Sequence, residues 1–166
     1  MAKDTDQIVR KLAAILSTDV NGYSRLLDIA PNNADALACY GYILAFSGRA
    51  EEAVAPLLRA KRMDPGRHVR FSMYLAFVYN LLERHEEAVV ELAPYLDDYP
   101  SYFPLQRTLA YAYCQAGDMK GARQMAANVM QSQPGFNCEA FGKKLPFKDS
   151  TMRNRFIDTL KKAGFP

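Results

Sequence analysis

The apolar and polar positions along this chain recur with one period. Prolines fall at Pro31, Pro65, Pro100 and Pro134, in steps of 34, 35 and 34 residues. Alanines at Ala53, Ala88 and Ala122 keep that period, as do small residues at Gly41, Ala76 and Ala110 and large ones at Leu44, Tyr79 and Tyr113. Four kinds of position sharing one spacing mark an array of supersecondary units. Within a unit the apolar residues follow helical spacing. In the first, Leu37, Tyr40, Gly41, Leu44 and Ala45 predict one helix, and Ser47-Gly48-Arg49 breaks it. Ala53, Leu57 and Ala60 then line a second helix, opened by Glu51 and Glu52. Acidic side chains favour the positive end of a helix dipole. Met63-Asp64-Pro65 ends it, since proline has no N–H for the ladder. The second unit repeats the scheme with Leu75, Ala76 and Tyr79, the turn Glu83-Arg84-His85, and Ala88. The third uses Leu109, Ala110 and Tyr113, the turn Ala116-Gly117-Asp118, and Ala122. The small residues predict where paired helices touch: Gly41 on Ala53, Ala76 on Ala88, Ala110 on Ala122. One hairpin cannot bury its apolar face alone, so the units must stack.

Several features modify this regularity. Pro56 and Pro94 fall inside second helices and predict a kink in each, with irregular stacking between units two and three. After Pro134, Phe136, Phe141 and Leu145 predict a short helix. Asp149 or Ser150 then caps a final helix from Thr151 to Lys162, with Phe156, Ile157 and Leu160 on one face and Gly164 as its stop. This tail reads as a cap for the last unit. At the front, Ile8, Leu12, Ile15 and Leu16 have helical spacing, and Val20 to Ala30 can serve as the second helix of a degenerate leading repeat.

The segments YGYIL with EEAVAPLLRAKRMDP, LAFVY with EEAVVELAPYLDDYP, and LAYAYCQAGD with GARQMAANVMQSQP resemble the tetratricopeptide repeat family in order and spacing. The resemblance covers residues 34–134, as units 34–67, 68–102 and 103–134, between a leading segment 1–33 and a capping segment 135–166. Tyr95 departs from the family where a small residue is usual, and Ala126 where a large one is usual. The resemblance implies an all-α fold: an α-α superhelix, or solenoid, of about three hairpins with N-terminal and C-terminal capping helices. It also implies a concave groove lined by the first helix of each unit. Family positions for that groove fall on Tyr42 and Phe46 in unit one, Arg70, Phe77 and Asn80 in unit two, and Arg107, Tyr111 and Gln115 in unit three. Tyr42, Phe77 and Tyr111 form an aromatic ladder at one position. One reading is a groove for an apolar peptide of some acidic character, since rigid aromatics give contact area and arginine pairs with carboxylates. The other is that the ladder is packing between repeats, or that the flanking segments fill the groove.

The stretch RKLAAILSTDVNGYSRLL, residues 10–27, resembles the opening of bacterial adenylate/guanylate cyclase catalytic domains, with Asp19 matching a metal-binding aspartate. Two-metal chemistry needs a second carboxylate and phosphate-binding residues over a long α/β domain. The repeats begin near Asn33, so the stretch reads as a remnant without catalytic activity. A truncated or regulatory fragment of a repeat-containing cyclase-like signalling protein is the alternative function.

Composition narrows the classes further. A net charge of +3 is too mild to argue for nucleic acid. The seven Lys/Arg against two Asp from Lys143 to Pro166 read as a solvated face. No apolar run reaches membrane-spanning length, and Leu12 to Leu16 is too short for a signal peptide. Cys39, Cys114 and Cys138 are odd in number and widely spaced, which points to a reducing cytoplasm. His68 and His85 have no ligand partners at zinc spacing. The expectation is a cytoplasmic, non-catalytic scaffold without metal or cofactor. Its partner would be a protein or peptide, with self-association as a further option, and neither nucleic acid nor membrane.

Overall fold

The structure, a computed structural model, describes residues 33–64 and 68–166. The expected N-terminal cap and the cyclase-like stretch with Asp19 lie outside them. The described residues form helices and turns without strands. Three antiparallel pairs come first: α1 (Ala34–Phe46) with α2 (Ala50–Met63), α3 (His68–Leu81) with α4 (His85–Leu92), and α5 (Phe103–Gln115) with α6 (Met119–Ser132). Two further helices follow, α7 (Cys138–Lys144) and α8 (Ser150–Ala163). This is the expected all-α solenoid of hairpins with a C-terminal capping helix.

The hairpins close where the sequence places small residues. Gly41 is buried, and a Cβ built on it would lie 2.6 Å from Leu57 Cγ and 3.1 Å from the Ala53 carbonyl oxygen. Side chains there would hold α1 and α2 apart. Ala76, Ala88, Ala110 and Ala122 are fully buried in the later units. The turn between paired helices needs a left-handed residue. Gly48 (φ +85°) and Gly117 (φ +87°) supply it in units one and three, and Glu83 (φ +62°) takes the same place in unit two. In units one and two an N–H five residues on from the third-last helical carbonyl closes the turn: Arg49 donates to Leu44 O and Arg84 to Tyr79 O, each at 2.9 Å. Arg49 and Arg84 then fork onto Glu52 and Glu87 in the first turns of α2 and α4. Asp118 instead caps α6 by accepting from Gly121 N–H at 2.9 Å.

The two internal prolines behave differently. Pro56 stays inside a continuous α2. Pro94 does not bend its helix but ends it: α4 stops at Leu92, and a 3₁₀ turn spans Ala93–Tyr95. Without a proline N–H, and with Tyr95 too large for a tight hairpin contact, the chain leaves the helix early. Tyr95 is instead held from the side, its hydroxyl accepting from Ser72 Oγ at 3.3 Å.

The tail does more than cover the last repeat. Asn137 and Asp149 cap α7 and α8 by accepting from Ala140 and Thr151 N–H. Between those helices the chain crosses to unit one, where Lys148 N–H donates to Phe46 O at 3.0 Å and Phe147 packs on Phe46 at 4.9 Å. Helix α8 then lies against α5 and α6. Gly164, in the left-handed region, ends it beside the small Ala126, which gives that departure from the family a packing reason. Cys138 N–H donates to Pro166 O at 2.9 Å and ties down the last residue.

Candidate functional site

The first helices α1, α3 and α5 lie side by side and carry all eight residues that the sequence singles out. The structure divides those residues into two groups. At one end of the face Phe46, Phe77 and Tyr111 are buried beneath the C-terminal segment. Phe156 of α8 stacks on Tyr111 at 5.3 Å and meets Phe77 edge-on at 6.0 Å. Phe147 completes the cluster against Phe46 and Phe77. Asn80 is buried as well, with its amide donating to Thr108 O at 3.3 Å and its oxygen facing His85 Nδ1 at 3.2 Å. Burial raises the pKa of the Tyr111 phenol, against the opposing influence of Gln115, Arg155 and Thr159. This half of the ladder is therefore filled by a flanking segment of the same chain.

At the other end, Tyr42, Arg70 and Arg107 are half-buried. Tyr42 stacks on Tyr74 with ring centroids 4.3 Å apart, and burial pushes its phenol well above the usual range. Arg70 is ion-paired with Asp35, joining α3 to α1. Arg107 lies over Phe141 at 3.8 Å and near Phe136 at 5.7 Å, both from the tail. Burial pushes its pKa down to about 10, against the opposing influence of the Tyr42 and Tyr102 phenols. It lines a small cavity with Tyr42, Met73, Phe77, Phe141 and Phe156. Sequence reasoning missed Phe141, Phe147 and Phe156 as members of this face. Their aromatic character was visible, but their spacing follows no repeat, so nothing in the period placed them here.

Other chemistry is sparse. Burial raises the pKa of Cys39, Cys114 and Cys138, so these thiols stay protonated at neutral pH. An open basin between α7 and α8 holds charges of both signs, with Glu139 paired to Lys143 and Lys161. Arg155 is paired with Glu83, so part of the basic tail is neutralised internally. Among the described residues no helix is long and apolar enough to cross a membrane.

No family model matches the chain, and no match is found among curated proteins. Solved structures do share its shape. One crystal structure of MamA superposes with a TM-score of 0.65 at 18% sequence identity, over 93% of this chain and 90% of that one. A second, also of MamA, gives 0.63 at 18% identity, over 97% and 91%. At such identity the likeness is one of fold, and the fold is a tetratricopeptide-type α-solenoid.

Proposed function

We propose that this chain is a non-catalytic interaction scaffold that binds a peptide or protein partner on its first-helix face. The reading is supported most by the state of that face at the Tyr42 end. There a half-buried arginine and a stacked tyrosine pair stand beside a cavity that the protein's own tail leaves unfilled. Tyr42, Arg70 and Arg107 are the contact residues in this reading. Phe77 and Tyr111 shape the groove by holding Phe156 of α8, Phe46 by holding Phe147, and Asn80 by tying α3 to α5, with Gln115 at the same covered end. Affinity capture with Tyr42→Ala and Arg107→Glu tests the assignment. Loss of the partner with an unchanged helical circular dichroism signal supports it, and loss of that signal makes both residues structural. The non-catalytic half has its own test: ATP with Mg²⁺ or Mn²⁺ should show no turnover. Turnover that disappears in Asp19→Ala would overturn it.

A further inference from the structure

Three cations of the basic tail share one opening. Helix α8 carries Arg153, Ile157 and Lys161 at four-residue steps, so they lie along one stripe of it, with Asn154 and Asp158 beside them. Phe156, which meets the first-helix face, lies on a different stripe. Helix α7 runs close to the charged stripe because Gly142 has no side chain: a Cβ there would lie 2.3 Å from Ile157 Cγ1. That close approach brings Glu139 and Lys143 of α7 to the same place. The seven residues line an open basin of about 280 Å³, in which Ile157 is the apolar wall.

The charges of this basin are already arranged around an anion. Lys143 Nζ donates to Glu139 Oε1 at 2.7 Å, and Lys161 Nζ to Glu139 Oε2 at 3.4 Å. Two ammonium groups from two helices thus converge on one carboxylate, and each has donors to spare, since an ammonium carries three. Arg153 lines the same basin, half-buried, and makes no ion pair among the described residues. Lys143, Arg153 and Lys161 stand against Glu139 and Asp158, which leaves one positive charge over. A carboxylate offers two oxygens, and Glu139 has both engaged. A phosphate disposes its oxygens tetrahedrally, so it can accept from two helices at once, and an arginine fork matches two of them. One water-sized sphere needs roughly 10–15 Å³, so the basin has room for a phosphate and part of the group that carries it.

We propose that the basin between α7 and α8 binds a phosphate group, carried by a soluble anion or by a lipid headgroup. Arg153 is the principal donor. Lys143 and Lys161 turn from Glu139 onto phosphate oxygens, and Asn154 offers its side-chain amide. Glu139 keeps the two lysines together and competes for them with the ligand. The site belongs to the tail and does not depend on the groove reading above.

The test uses the full chain and inorganic phosphate, with sodium chloride at matched ionic strength as the control. The Arg153 Nε–Hε and Asn154 side-chain amide resonances of ¹⁵N-labelled protein should shift saturably with phosphate and not with chloride. Arg153→Met, followed on Asn154, should weaken binding at least about tenfold, as for the loss of a charge-assisted fork. Glu139→Gln should tighten it about fivefold, the effect of removing one competing unit charge near 4 Å in water. Lys120→Met, at an exposed position of α6, should change neither. A second arm separates the two sources, using vesicles of phosphatidylcholine alone or with phosphatidic acid. Cosedimentation with the phosphatidic-acid vesicles only, lost in Arg153→Met, places the phosphate on a lipid. Saturable binding of inorganic phosphate without cosedimentation places it on a soluble anion. Absence of both overturns the proposal, as does binding of either kind that Arg153→Met leaves unchanged. Should Arg153→Met lose the helical circular dichroism signal, Lys143→Met, whose side chain is 65% exposed, replaces it with the same expectation and the same overturning result.

Discussion

Tyr42 and Tyr111 hold the same position in the first and third repeats, and both lie against other aromatic rings. Their circumstances differ in what covers them. Tyr111 is sealed by Phe156, whose ring stacks on it at 5.3 Å. Tyr42 is stacked on Tyr74 beside an arginine and a cavity. The repeat register fixes where a residue sits on the first-helix face. The irregular tail decides whether that place is core or surface. An aromatic ladder at one register is thus two things in one molecule: a packing seam where Phe156 of α8 stacks on Tyr111, and one wall of a small cavity where Tyr42 lies beside Arg107.

Substitutions at the two ends should separate these roles. Phe156→Ala removes the ring that bridges Phe77 and Tyr111, and chemical denaturation should show a loss of about 3–5 kcal/mol, as for large-to-small changes in a core. A loss below about 1 kcal/mol would mean that the covered end is not core. Gly41→Ala tests the hairpin rather than its cover. The new methyl meets Leu57 at 2.6 Å, so a cost of about 1–3 kcal/mol is expected from overpacking. At the other end, Arg70→Ala removes an ion pair whose two side chains are 40% and 45% exposed, and should change stability by less than about 1 kcal/mol.

The smallest effect is a pH dependence at the covered end. Burial, then Arg155, lowers the His85 pKa, so the folded state favours neutral imidazole. The unfolded chain then binds more protons below its own histidine pKa of about 6.5, and stability falls as pH drops from there through the lowered folded value. Melting curves between pH 7 and pH 5 should show this slope. It should flatten in His85→Gln, which keeps a donor for Asn80.

Much of this architecture was readable from the period alone. Gly41, Ala53, Ala88 and Ala122 announced the close contacts because only small residues let two helices approach, and that constraint recurs in every unit. The Asp149 cap and the Gly164 stop of α8 were readable for a similar reason: helix ends have few chemical solutions. Other features had no such signature. Glu83 occupies a left-handed turn position that its neighbours fill with glycine, and only the conserved geometry of the turn forces it there. Pro94 was expected to bend α4, and the helix ends at Leu92 instead, with a 3₁₀ turn over Ala93–Tyr95, because proline has no N–H for the ladder. The path of the tail depends on Phe147 and Phe156 finding Phe46, Phe77 and Tyr111 across long sequence separations, which no local pattern encodes. The eight residues named from the family register lie on α1, α3 and α5, and which of them the tail covers follows from that path.

The central claim is that the tail folds onto the first-helix face and seals its Tyr111 end. Nuclear Overhauser contacts between the Phe156 and Tyr111 rings test it most directly. With ring centroids 5.3 Å apart, strong cross-peaks should link the two, accompanied by contacts from Phe147 to Phe46 at 4.9 Å. Phe156 resonances at random-coil positions, with no contact to Tyr111, would contradict the account.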